Sequence, residues 1–386
     1  MKHLSRNDRT VLGRWFWTID KLLLMLVLLL IGIGTIAVAA ASPAAAHRYS
    51  GGSVRVDDLY YLKRHVMWVM IGVPLMLLTS MLPIVWAKRV AIGGTVVFLA
   101  AMFAVPLIGS EVNGAVRWIQ LPGFAFQPSE FLKPMFIVTT AWLLAARFDD
   151  RQLPTMQLSF GLFVVIGALL VKQPDFGQTV LFGFVWLVQA ILAGMSLTVI
   201  GGLVCLAVGG MGIAYLTVDH VAQRLDHFIK GTGDTYQIDR ALDCFKAGGL
   251  FGAGPGEGQM KFRLPEAHTD YIFSVIGEEF GAIACFMLAI LYLAIVVRVL
   301  LQVLDEEEPF LFLAAAGLAI QFGVQAAINM AVNLALLPSK GMTLPFVSHG
   351  GSSFLALSIG TGLLLALTRR NPYLKASPYA VRVRPA

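Results

Sequence analysis

The sequence predicts an all-α polytopic membrane protein with ten transmembrane helices. Three observations lead there. Hydrophobic residues make up 57% of the chain and charged residues only 13%, with a mean hydropathy of +0.75. The apolar residues gather into runs of about 20, long enough to cross a hydrocarbon core as helices. Basic residues recur in alternate short loops, as in a multi-pass chain with one consistent orientation.

The ten runs are Leu22–Ala41, His65–Trp86, Val90–Gly109, Phe131–Ala146, Gln157–Val171, Gly177–Gly194, Leu197–Thr217, Tyr271–Leu301, Phe310–Leu337 and Phe354–Thr368. The sixth and seventh are separated only by Gly194-Met195-Ser196. The eighth and ninth are long enough to tilt or to extend beyond the bilayer. The first run has a basic start and an Ala-x-Ala pattern near its end, as a cleaved signal would. It is longer than a signal core and nine more spans follow, so it reads as a retained span.

Lys2, Arg6, Arg9, Arg14 and Lys21 precede the first span, and Lys88-Arg89, Arg147, Arg151 and Arg369-Arg370 fall on the same side of a ten-span chain. Both termini are therefore expected in the cytoplasm. Residues 1–21 form a basic, polar N-terminal tail, 218–269 a long extracytoplasmic loop, and 369–386 a cytoplasmic C-terminal tail. The net charge of +6 suits a protein held against anionic lipid and gives no reason to invoke nucleic acid. Cys205, Cys244 and Cys285 are scattered, so neither a zinc site nor a disulfide framework is indicated.

Taken in order, the outer loops become more informative. Residues 42–64 offer no motif. Asn113-Gly114 marks a turn, and Arg117-Trp118 suits the interface or a phosphate. Glu130 and Lys133 are spaced to pair at a helix start. In Gln173-Pro174-Asp175, the proline stops one helix and the aspartate caps the next. Within 218–269, Leu225, Phe228, Ile229, Tyr236, Ile238, Leu242 and Phe245 are spaced as short amphipathic helices. Gly248–Gly258 supplies turns and lacks the Gly-Lys-Ser/Thr of a nucleotide loop. Residues 337–353 are too apolar for a free loop and too broken for a helix. They fit a re-entrant segment, tolerated only where it is buried in protein or lines a cavity.

These loops carry Arg117, Lys133, Lys172, Arg224, Lys261, Arg263 and Lys340, which are expected to gather around Asp270. Such cations suit a phosphate or diphosphate headgroup. ATP is absent on the outer side, so a reaction there needs a donor carrying its own leaving group. Diphosphate leaves well, and one base then suffices to take a proton from an attacking hydroxyl. Asp270, at the start of the eighth span, is the best-placed base. Glu278 and Glu279 lie too far along the helix to pair with it and read as a buried polar network or helix anchors. His268 is a partner or a turn residue. No cofactor is called for with certainty; the metal requirement stays open, with magnesium or manganese as the divalent candidates.

Several motifs occur in order: Asn113-Gly114-Ala115-x-Arg117-Trp118-Ile119, Gln127-Pro128-Ser129-Glu130, Gln173-Pro174-Asp175, residues 265–273 from Pro265 through Asp270, Glu278-Glu279-x-Gly281, and Leu344-Pro345-x-x-Ser348-x-Gly350-Gly351-Ser352-Ser353. Together they resemble the SEDS family (shape, elongation, division, sporulation) over nearly the whole chain. The resemblance implies a ten-span glycosyltransferase that polymerises lipid II into peptidoglycan strands, with the residue matching Asp270 as base. Pro338-Ser339-Lys340-Gly341 looks like the division branch, FtsW, more than the elongation branch, RodA. Arg117, Lys340, Glu266, His268, Ser348 and Arg224 are then the expected substrate-binding residues. The expected partners are lipid II, membrane lipids, a class B penicillin-binding protein and other divisome proteins, at the septal cytoplasmic membrane of a bacterium. His349 stands where the family typically has Tyr, and Gly254-Pro255-Gly256-Glu257 is more polar than the usual turn. The alternatives are a lipid II flippase, which needs polar groups along a path through several spans, and a non-enzymatic divisome scaffold.

Overall fold

The computed structural model describes residues 10–50, 56–112, 115–121, 124–150, 152–217, 236–338 and 341–369. The described chain is mainly helical. Short α1 (Val11–Thr18) precedes α2 (Lys21–Tyr49), α3 (Tyr60–Ser80), α4 (Ile84–Ile108), α5 (Pro128–Asp149), α6 (Thr155–Lys172), α7 (Phe176–Leu192) and α8 (Leu197–Thr217). After the 218–235 stretch come α9 (Tyr236–Gly248), α10 (Ile272–Val303), α11 (Pro309–Asn333) and α12 (Gly351–Leu367). Seven helices among the described residues are long and apolar enough to cross a membrane: α2 to α6, α10 and α11. The apolar stretches of α7, α8 and α12 are shorter.

Each of the ten expected spans corresponds to one of these helices, with instructive shifts at the ends. The second was expected as His65–Trp86. The chain instead breaks at Met81–Pro83, and Trp86 belongs to α4. Pro83 has no N–H to continue a helix and disfavours helical geometry at Leu82. The Gly194 break is real: Gly194 adopts φ 84°, and Met195 N donates back to Ala190 O at 3.0 Å, closing α7 before α8 begins. The first span runs unbroken through the Ala-rich stretch to Tyr49. Part of the expected polar tail, residues 11–18, forms α1, whose Trp15 Nε1 donates to Ser80 Oγ at 2.8 Å.

The second outer loop departs from a purely helical reading. Residues Ser110–Val112, Ala115–Leu121 and Phe124–Phe126 form strands β1, β2 and β3 of an antiparallel sheet in the order β1-β2-β3. Asn113 and Gly114, the expected turn, lie outside the described residues, between the paired Val112 and Ala115.

Packing places α5 and α11 at the centre. They contact each other, and both are buried along most of their length. Around them pack α4 and α12 on α5, α7 and α10 on α11, and α3 on α12. The outer helices keep large apolar residues such as Leu78, Val96 and Phe286 exposed, as lipid-facing surfaces do.

At Gly281, φ 82° and ψ 175°, α10 is broken within its length. The groups freed there are taken up by the glycine-rich loop. Ala253 N and Gly254 N donate to the carbonyls of Glu278 (2.8 Å) and Glu279 (3.1 Å), while Ala282 N donates to Gly249 O (2.9 Å). A Cβ at Gly281 would strike Leu250 O and Gly252 N, and its φ is one that L side chains rarely adopt. Gly281→Ala should therefore cost at least about 1–3 kcal/mol of stability. Thermal unfolding of the detergent-purified protein will read this as a lower midpoint.

Candidate active site

Asp270 closes a compact loop that precedes α10. Glu266, at φ 50°, turns the chain back, and its carbonyl accepts from Thr269 N (3.1 Å) and Tyr271 N (3.2 Å). Its carboxylate accepts from Thr269 Oγ1 (2.8 Å) and from the Tyr49 hydroxyl of α2 (2.9 Å). The loop is thus folded on itself and tied to α2.

The backbone carbonyl of Asp270 accepts from Asn329 Nδ2 at 2.8 Å and Asn333 Nδ2 at 2.9 Å. Its carboxylate, in contrast, receives no hydrogen bond from any described residue. Oδ2 lies against Gly341, where a Cβ would stand 3.3 Å away. Removal from water pushes the Asp270 carboxyl up to about 7, and the negative charges of Glu266, Glu130 and Asp175 push the same way.

The 341–350 segment passes beside this loop as irregular, buried backbone, as expected for a re-entrant piece. Ser348 Oγ donates to Thr269 O (2.6 Å) and accepts from Leu344 N (2.8 Å), and His349 N donates to His268 O (2.9 Å). Ser348, expected to contact substrate, is therefore spent on joining these two pieces of chain. Gly34 of α2 lies so close to Phe346 O and Val347 Cα that a Cβ there would collide with both.

Along α11, Gln321, Gln325, Asn329 and Asn333 recur every four residues on one face. Gln325 joins Lys133 Nζ (3.2 Å) to the Thr343 carbonyl (3.1 Å), and Asn333 Oδ1 accepts from Ser274 N (3.1 Å) and Oγ (2.8 Å). This ladder was not among the expected site residues. Amides repeating every four residues inside an apolar run were the available signal.

His268, expected at the substrate, is 5% exposed and packed against Tyr61 and His349, with ring centroids 4.2 and 5.6 Å away. Burial lowers its imidazole to about 4 against the opposing pull of Glu266, so it is neutral at pH 7. It belongs to an aromatic wall with Tyr49, His65 and His349.

Of the seven cations expected around Asp270, three are engaged within the protein. Arg117 Nε donates to Gln173 O (2.9 Å) and Nη2 to Pro174 O, clamping the loop whose Asp175 caps α7. Lys133 pairs with Glu130 at 2.8 Å, both buried, as their spacing predicts. Lys261 is 1% exposed; its ammonium bonds Glu279 and donates to Ala40 O of α2 at 3.0 Å. It is thus a structural cation, not one facing Asp270. Glu278 accepts from the amides of Met260 (2.6 Å) and Lys261 (2.8 Å), making both glutamates anchors. Lys172 and Arg263 are exposed. Arg224 and Lys340 lie outside the described residues.

The polytopic helical fold and this arrangement of loops define an integral membrane protein in which no described residue donates to the carboxylate of Asp270. The model of the FtsW/RodA/SpoVE family, described as cell cycle protein, matches residues 20–373. The chain is 43% identical over 370 residues to a "probable peptidoglycan glycosyltransferase FtsW" of Caulobacter vibrioides, covering 95% of this chain and 94% of that protein. A protein of the same description from Trichlorobacter lovleyi is 37% identical, with 83% and 88% covered. Among solved structures, the rod shape determining protein RodA of Thermus thermophilus aligns at TM-score 0.65 and 25% identity, covering 91% of this chain and 96% of that one. A chain of a peptidoglycan synthase complex, described as coordinating polymerization and crosslinking, aligns at TM-score 0.73 and 24% identity, covering 91% and 97%. The chain belongs to the FtsW/RodA/SpoVE family.

Lys261→Met should leave Glu279 buried without its counter-charge, at a cost of about 3–5 kcal/mol. Pairing it with Glu279→Gln should recover most of the loss. Unfolding midpoints of the two variants in the same detergent check this.

Proposed function

We propose that this chain is a peptidoglycan glycosyltransferase that polymerises lipid II during septal wall synthesis, with Asp270 as its general base. The observation that carries the assignment is the Asp270 carboxylate. Asp270 is half-buried in the loop before α10, no described residue donates to its carboxylate, and burial with the neighbouring negative charges pushes that carboxyl up to about 7. The relatives named as FtsW glycosyltransferases supply the reaction class.

In this reading Asp270 takes the proton of the acceptor sugar's hydroxyl. That oxygen forms the new glycosidic bond to the donor's anomeric carbon while the bond from that carbon to the lipid diphosphate breaks. The diphosphate needs no acid to leave. Lys340, Arg224, Arg263 and Lys172 are the cations proposed to hold it, while Arg117 has its Nε and one Nη2 donor committed to the 173–174 carbonyls. Glu266, His268 and Ser348 shape the loop and the wall around Asp270. Among the described residues, no group of three or more His, Cys, Asp or Glu could hold a metal. A divalent magnesium or manganese ion is proposed to accompany the diphosphate. The site faces the extracytoplasmic side, both termini are cytoplasmic, and a class B penicillin-binding protein is the proposed partner.

The flippase alternative finds little support. The buried polar groups of α5 and α11 bond one another, and the cavity lined by Glu130, Lys133, Gln321 and Thr361 holds about 20 Å³, room for a water.

Purified protein with its partner, supplied with lipid II, tests the assignment by glycan chain formation. Asp270→Asn should insert normally and make no glycan; full synthesis would overturn it. A base must be ionised, so kcat should rise between about pH 6 and about pH 8 as Asp270 loses its proton. Stability runs oppositely. A carboxyl raised on folding stabilises the fold at pH below its unfolded value, and that contribution is lost as pH rises through about 7.

A further inference from the structure

We propose that Asn329 is a positioning residue for Asp270, its single amide group tying the backbone of the proposed base to the backbone of the 341–349 segment. The inference rests on the reading of Asp270 as base. A carboxamide nitrogen carries two hydrogens, directed to different sides. Asn329 Nδ2 spends one on Asp270 O at 2.8 Å and the other on Met342 O at 2.7 Å. The side chain is 2% exposed, so water does not compete for either bond.

The neighbouring amide does a different task. Asn333 also reaches Asp270 O, but its oxygen is directed to Ser274 in the first turn of α10. Among the described residues, Asn329 alone donates to both chain segments. The two segments are joined directly at 268–349 and 269–348 by the His349 amide and the Ser348 hydroxyl. At Asp270 and Met342, the end where the carboxylate lies against Gly341, the joint passes through Asn329.

Without Asn329, Asp270 O keeps Asn333, whereas Met342 O loses its described donor. The 341–343 end should then loosen and the Asp270 carboxylate lose its fixed neighbour. Misplacing a reacting group by about 1 Å can cost on the order of a hundredfold in rate. The loss should fall on turnover, because no substrate contact is removed.

Three variants decide the matter. Asn329→Asp keeps shape and removes both donors, Asn329→Ser is a smaller, graded change, and Asn333→Ala is the control that spares Met342. Hydrogen exchange in detergent should show peptides covering 341–344 losing protection in both Asn329 variants and not in Asn333→Ala. The His349 amide should stay protected throughout. In lipid II polymerisation, Asn329→Asp should lower kcat on the order of a hundredfold, with KM within about twofold. Unchanged exchange at 341–344, or a loss confined to KM, would overturn the proposal. If Asp270→Asn polymerises normally, the base assignment fails, while the exchange results still decide whether Asn329 joins the two segments.

Discussion

A backbone that leaves the helix inside a membrane protein must find a partner for every amide and carbonyl it frees, since lipid offers none. Two such departures stand out, the 341–350 segment beside Asp270 and the break in α10 at Gly281, and much of the molecule can be understood as their support. In the 341–350 segment, four consecutive carbonyls are accounted for. Met342 is served by Asn329, Thr343 by Gln325, Leu344 by the amides of Val347 and Ser348, and Pro345 by the Tyr292 hydroxyl at 2.6 Å. At the Gly281 break, the glycine-rich loop replaces the missing helical bonds, and Glu278, Glu279 and Lys261 hold that loop in place. Some of these donors are amides of the irregular chain itself, and the others, Asn329, Gln325 and Tyr292, are polar side chains on membrane helices that an apolar span would otherwise not need.

That constraint separates the acids from one another. Asp20 accepts from the first amides of α2 and from Arg298 and Gln302. Glu130 has Lys133 and Gln178; Asp175 has Gln178 N and a looser ion pair with Arg117. Glu266, Glu278 and Glu279 are bonded by hydroxyls, amides or Lys261. Asp270 is held firmly by its backbone and not at all, among the described residues, by its carboxylate. Its place is fixed while its chemistry stays available, the combination that proton transfer requires.

The helices of the ten apolar runs and their order were legible because membrane helices announce themselves by length and composition. Even the weakest break, at Gly194, could be read from the residues that end a helix with a left-handed turn. The small sheet of 110–126 was not legible, because three short strands beside a lipid surface carry little periodic signal. The site was legible in part. Asp270 stood out as a charge at a helix start, and Glu130 with Lys133 as a spaced pair. Asn329 and Asn333 escaped notice because uncharged amides inside a span look like tolerated exceptions rather than donors to distant carbonyls. The individual roles of Ser348 and His268 depend on which backbone lies opposite them, and sequence spacing holds no information about that.

The cations teach the sharper distinction. An ionisable residue at membrane depth is by default a functional candidate, and Lys133, Lys261 and Arg117 were expected, with Lys340, to gather around Asp270. Lys133 answers Glu130 and Gln325, Lys261 answers Glu279 and Ala40, and Arg117 answers Gln173 and Pro174. Their charges are expensive to bury and are kept because something equally expensive faces them. A charge is therefore informative about chemistry only after its bonds have been counted. A group whose partners all lie within the protein belongs to the scaffold, and a group fixed in place with its reactive atoms unspent by any described residue, as Asp270 is, is the one proposed for the reaction.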